Sequence, residues 1–202
     1  MLGARIAAGW PGIRVEWWSR VVAYVVVPGI GGSDGQHWQS RWEHGWGADA
    51  VRITPSSWDA PDLDDWVDAV DRAVRDARGR ADQVVVVAHS LGCWATTVWV
   101  RGDAEHRVAA VMLVAPPDLR DEGFPATAAA SFVDLEPRTL SCRSVVVAST
   151  DDPHCRVDVA QGLAAGWGSP LRVVGARGHL NSASGLGEWA EGREVLAGLV
   201  RE

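Results

Sequence analysis

Lysine is missing from this 202-residue chain: all 19 basic residues are arginine, against 26 acidic ones, for a formal net charge of −7. With no arginine-rich run, the chain lacks the clustered cations that a phosphate backbone requires, so nucleic acid is not an expected partner. The exclusive use of arginine reads as a coding bias, not a binding signal. Cysteine is nearly as scarce. Cys93, Cys142 and Cys155 form an odd, sparse set with no C-x-x-C spacing. That excludes a disulfide framework and a zinc-finger site, and fits a reducing compartment. Long apolar runs are also missing: none approaches the roughly 18 residues that cross a bilayer. The apolar stretch after Arg5 is short and broken by Gly9 and Pro11, which makes a poor signal peptide. The expectation is a cytoplasmic protein with no membrane partner.

What the chain does have is tryptophan, twelve of them beside one Tyr and two Phe. They could form an aromatic substrate surface, but packing is the favoured reading, because large aromatic rings dominate core energetics. The length suits one domain with a sizeable core, and 47% apolar content is ordinary for a globular protein. No repeat or linker divides it.

Residues 1–20 show no clean periodicity and read as an N-terminal extension to a domain spanning residues 21–202. Residues 21–27 are a nearly continuous β-branched run, the mark of a parallel strand covered on both faces. Similar runs follow at 84–87, 108–114, 145–148 and 171–174, with a short one at 50–53. Helical patterns lie between them. Trp38, Trp42 and Trp46 recur at i, i+4, i+8. Residues 62–78 carry Asp62, Asp64 and Asp65 at the start and Arg75 and Arg78 at the end, as the helix dipole prefers. Further helices are expected at 91–101, 157–165 and 187–201, and residues 116–141, with four prolines, as irregular chain. About six strand–helix alternations predict an α/β fold: a compact three-layer α/β/α sandwich with a mainly parallel sheet. Ligands in such sheets bind beyond the carboxyl ends of the strands.

The chemistry-bearing motifs fall at those ends. A-H-S-L-G, residues 88–92, follows a buried strand and opens a helix. This is the context of a nucleophile elbow, where the turn exposes a serine and needs small residues two before and two after it, here Ala88 and Gly92. Serine needs a base and the base an orienting acid, in the chain order Ser, Asp or Glu, His. After residues 145–148 comes S-T-D-D-P with Asp151 and Asp152; after residues 171–174 comes G-A-R-G-H with His179. Ser90, Asp152 and His179 are the candidate catalytic residues. Oxyanion donors are expected from the N–H of Leu91 and from the loop P-G-I-G-G-S after the first strand, with Ile30 assigned and Gly31 the alternative. A phosphate-binding role for that loop is disfavoured, since neither G-x-G-x-x-G nor a P-loop lysine is present.

Other residues are weighed on position. His37, Trp38, Trp58, His154 and Gly31 are expected to face the substrate. D-D-P-H-C at residues 151–155 could be a metal cluster, but no second ligand group accompanies it, so no metal or cofactor is expected. His89 is expected to point away from Ser90, and His44 and His106 to lie on the surface. Cys93 and Cys155 read as small buried hydrophobes.

V-P-G-I-G-G-S, H-W-Q-S-R-W-E, A-H-S-L-G, S-T-D-D-P and G-H-L-N together resemble the small serine hydrolases related to retinoblastoma-binding protein nine, over residue 21 to the end. The resemblance implies an α/β-hydrolase domain without a large lid. It also implies that the aspartate directly before the proline, Asp152, is the acid. Some members of that family look like esterases or peptidases, and some are discussed as binding proteins. The leading expectation is hydrolysis of a small ester or amide. An aminopeptidase-like reaction would need an acid for the substrate ammonium, with Asp34 and Asp59 as candidates. A protein-binding module on a hydrolase fold is the third reading, which a complete Ser-His-Asp set argues against. Nothing in the pattern specifies an oligomeric state.

Overall fold

The computed structural model describes residues 21–103 and 107–201; the expected extension at residues 1–20, and His106, lie outside them. Six strands, β1 Val22–Val27, β2 Ala50–Arg52, β3 Gln83–His89, β4 Ala110–Val114, β5 Arg143–Ala148 and β6 Leu171–Val173, form one sheet. Its order is β2-β1-β3-β4-β5-β6, and every pairing is parallel. Among the described residues four α-helices intervene, α1 Trp38–Trp46, α2 Leu63–Arg78, α3 Leu91–Gly102 and α4 Val157–Trp167, and α5 Ala190–Arg201 follows the last strand.

The β-branched strands are covered on both sides because their alternate side chains enter two separate cores. Val25, Val27, Val84, Val86 and Leu113 face α2, α3 and α4, together with Trp66, Trp94 and Trp167. Val85, Val87, Met112 and Val114 face α1 and α5, with Trp38, Trp42 and Trp189. Asp62 does not enter α2 but caps it, its carboxylate accepting from the Asp65 N–H. The expected helix from residue 187 starts three residues later, because Gly187 and Trp189 have φ of +59° and +41°, outside the helical region. α4 runs past the expected end to Trp167 and stops at Gly168 in the left-handed conformation. Gly166 is tolerated inside it because a Cβ there would sit 2.7 Å from the Pro137 ring. Among the described residues no helix is long and apolar enough to cross a membrane.

This topology places the site. From β1 the chain steps outward to β2, then returns to pair β3 on the other side of β1. The carboxyl ends of β1 and β3 therefore flank the point where strand order reverses, the position at which open α/β sheets bind ligands. The loop after β1 carries Ile30, and the turn after β3 carries Ser90.

Candidate active site

Ser90 sits between β3 and α3 with φ +53° and ψ −129°, a strained conformation for a residue with a side chain. The turn closes because its neighbours lack bulk. A Cβ on Gly92 would lie 2.3 Å from the Pro28 carbonyl oxygen, and one on Gly29 would lie 2.6 Å from Ser90 Cβ. The Ser90 N–H donates to the Val114 carbonyl at 2.9 Å, tying the elbow to the end of β4.

His179 lies in the loop after β6, buried, with Nε2 2.9 Å from Ser90 Oγ. Its Nδ1 is 2.9 Å and 3.0 Å from the two carboxylate oxygens of Asp152, whose side chain is 2% exposed. A carboxylate only accepts, so Nδ1 carries the proton and Nε2 is left to accept from the serine hydroxyl. Asp151 turns away from this line. Its Oδ1 accepts from Ser149 Oγ and from the Gly178 N–H, both at 2.7 Å. Ser149 Oγ in turn accepts from the Arg177 N–H at 2.8 Å. One aspartate thus meets the ring while its neighbour braces the loop that carries it. The bonds from Ser149 and Gly178 hold the Asp151 carboxyl below the usual carboxylate range.

A cavity of about 300 Å³ opens over Ser90 and His179, lined also by Ile30, Leu91, His154 and Asn181. Leu91 is the first residue of α3, where an N–H has no partner within the helix. Among the described residues no backbone acceptor meets the Ile30 N–H, whereas Gly31 donates to the Trp58 carbonyl at 3.0 Å. Gly31 is therefore not available as the alternative oxyanion donor.

Several residues expected at the substrate are elsewhere. His37 and Trp38 are buried, 3% and 1% exposed, and neither lines the cavity. His37 accepts from the Gln39 N–H as the N-cap of α1. Trp58 is half-buried and packs edge-to-face on Trp66, with its ring 3.6 Å from where a Gly32 Cβ would stand, so it packs against the glycine loop. None of the tryptophans in the described residues lines the cavity. Of the acids offered for an ammonium, Asp34 is engaged by Ser182 Oγ, Gln36 N–H and His37 N–H, and neither it nor Asp59 lines the cavity. His89 does not line the cavity and lies against the backbone of His179, with Nε2 2.9 Å from its carbonyl oxygen. His44 is exposed.

Sequence reasoning missed the far wall. Pro117, Asp118, Asp121, Phe124 and Pro125 line the cavity from the irregular segment after β4. The available signal was positional: that loop leaves the carboxyl end of a central strand, beside the reversal point. It also missed Gln39, fully buried, whose amide donates to the carbonyls of Val27 at 3.2 Å and Val87 at 3.0 Å and accepts from Ser33 Oγ. One side chain thereby joins the ends of β1 and β3 to the glycine loop.

The all-parallel sheet, the strained serine after β3 and the cavity beyond the strand ends are those of an α/β-hydrolase fold. The chain belongs to the serine hydrolase family, whose model matches residues 24–198. Among solved structures, a protein of Pectobacterium atrosepticum described as a YdeN-like hydrolase is 33% identical, with a TM-score of 0.74 over 88% of this chain and 90% of that one. The ydeN gene product of B. subtilis is 21% identical, with a TM-score of 0.64 over 90% and 99%. A structure from the metagenome-derived lipolytic enzymes LipS and LipT is 18% identical, with a TM-score of 0.64 over 91% and 95%. No curated protein matches the chain.

Proposed function

We propose that the protein hydrolyses a small ester or amide by acyl transfer, with Ser90 as nucleophile, His179 as general base and acid, and Asp152 as the acid that orients the imidazole. The observation that carries this reading is the unbroken line of hydrogen bonds from Asp152 through His179 to Ser90 Oγ at the floor of a cavity. His179 Nε2 takes the hydroxyl proton as Oγ bonds to the substrate carbonyl carbon. The oxygen that becomes negative is held by the N–H groups of Leu91 and Ile30. The tetrahedral adduct collapses as His179 returns the proton to the departing alkoxide or amine. Water, deprotonated by the same ring, then releases the acid and restores the serine.

A cavity of about 300 Å³ lies at the small end of ligand sites, which supports a short acyl group. The resemblance to hydrolases related to retinoblastoma-binding protein nine is part of this proposal. Three free cysteines support a cytoplasmic setting. A second reading, cleavage next to a substrate ammonium, is supported by Asp118 and Asp121 on the cavity wall, in place of Asp34 and Asp59.

Fluorophosphonate labelling of the intact protein, followed by an ester panel, tests the assignment. Ser90→Ala is expected to fold and to lose all labelling. A mutant that still labels removes Ser90 from the mechanism.

A further inference from the structure

The loop that carries His179 presents two successive carbonyls to the interior, and each meets a ring N–H from a different element. His89 Nε2, at the end of β3, lies 2.9 Å from the His179 carbonyl oxygen. Trp38 Nε1, at the start of α1, donates to the Leu180 carbonyl at 2.7 Å. Because a carbonyl only accepts, His89 carries its proton on Nε2. The backbone being held is not relaxed: Leu180 has φ +50°, in the left-handed region that a branched side chain occupies only when its surroundings impose it.

The two donors are themselves fixed. Trp38 and His89 are 1% and 4% exposed. The His89 ring lies 4.9 Å from the His179 ring and 4.7 Å from the His37 ring. Burial holds the His89 imidazole well below its ordinary range, with the neighbouring His179, His37 and His154 adding to the effect. Neither His89 nor Trp38 lines the cavity.

We propose that His89 and Trp38 are positioning residues that clamp the peptide on the carboxyl side of His179 and so aim its Nε2 at Ser90. One bond would fix one peptide; bonds to the carbonyls of His179 and Leu180 hold two successive peptide planes, and with them the backbone of Leu180 that joins the two. His89 is also covalently joined to Ser90. Its bond to residue 179 therefore sets the base against the nucleophile directly, without relying on the long chain path between them. This inference rests on the proposed Ser90–His179–Asp152 mechanism and gives that mechanism its alignment.

The test compares kcat and KM for one ester substrate in the wild type, His89→Leu, His89→Gln and Trp38→Phe, with folding followed by circular dichroism. His89→Leu removes the donor and should lower kcat by about 100-fold, the cost of a base displaced by roughly 1 Å, while KM stays nearly constant because the cavity wall is untouched. His89→Gln restores an N–H donor and should recover at least about tenfold of that loss. Trp38→Phe keeps an aromatic ring but loses the donor together with part of the indole packed on Trp42 and Trp189, and should lower kcat by about tenfold. Nitrogen NMR of the wild type should show the His89 proton on Nε2. Unchanged kcat in Trp38→Phe, no recovery in His89→Gln, or a proton on Nδ1 overturns the clamp. If His89→Leu does not fold, Trp38→Phe and the NMR measurement decide. Ser90→Ala run in parallel separates the two levels: an unlabelled Ser90→Ala beside fully active clamp variants refutes the clamp alone, whereas a labelled Ser90→Ala refutes the mechanism on which it rests.

Discussion

Adjacent aspartates offer a sharp test of the site, because one substitution made at two neighbouring positions should have consequences about a thousandfold apart. Asp152 presents both oxygens to His179 Nδ1, at 2.9 and 3.0 Å, from a side chain that is 2% exposed. In Asp152→Asn the amide can turn its NH₂ group toward Nδ1. That moves the ring proton to Nε2, where it faces Ser90 Oγ and blocks proton transfer. The same change in a Ser-His-Asp protease lowers kcat about 10⁴-fold, equivalent to about 5.5 kcal/mol. Asp151 touches no ring. Its carboxylate accepts from Ser149 Oγ and from Gly178, the residue before His179. Asp151→Asn keeps an oxygen in place and loses only the charge on these bonds, so it should cost about tenfold, near 1.4 kcal/mol. The assay is kcat on one good ester, with circular dichroism to confirm folding. If Asp151→Asn is the crippled variant, the orienting acid is misassigned. If neither variant loses activity, the hydrogen-bonded line is not the catalytic device and a binding role on a hydrolase fold gains ground.

Two further predictions concern stability. Gly92→Ala forces a Cβ to within 2.3 Å of the Pro28 carbonyl oxygen and 2.7 Å of the Val27 carbonyl oxygen, backbone that cannot swing aside. It should cost about 3 kcal/mol or more and be seen as a lower Tm; an unchanged Tm would mean the elbow is looser than the geometry requires. Burial lowers the His37 pKa from 6.5 to about 4, so this ring is neutral in the fold while the unfolded chain takes up the proton first. The stability it contributes is full above pH 6.5 and is lost as pH falls toward 4, on the order of 3 kcal/mol in all, with His89 acting in the same direction. His37→Asn, which keeps a capping oxygen and removes the titration, should flatten the fall in Tm between pH 6.5 and 4.5; an unaltered slope would refute the assignment.

The sequence by itself determined the sheet and the places along it where the candidate residues stand. Strands covered on both faces are apolar at nearly every position, so the runs at residues 21–27, 84–87 and 108–114 announce themselves without any partner being known, and the strands form at Val22–Val27, Gln83–His89 and Ala110–Val114. The reactive residue types fall at strand ends, and strand ends are legible. Gly92 was readable as a steric need, and α2 from its charges alone. Tertiary structure decided everything that depends on which surfaces meet. Trp38 and His37 follow the glycine loop and looked like pocket residues, yet they are buried against Trp189 and His89 and do not line the cavity. The wall formed by Pro117, Asp118, Asp121, Phe124 and Pro125 comes from a stretch with no periodicity, and its place over Ser90 follows only from β4 pairing with β3. Gln39 and His89 have ordinary neighbours in sequence. Their partners lie 12, 48 and 90 residues away, so only the folded chain brings the carbonyls of Val27, Val87 and His179 to their donors. Local pattern encodes which residues can be buried or reactive; the three-dimensional pairing of strands sets which of them touch.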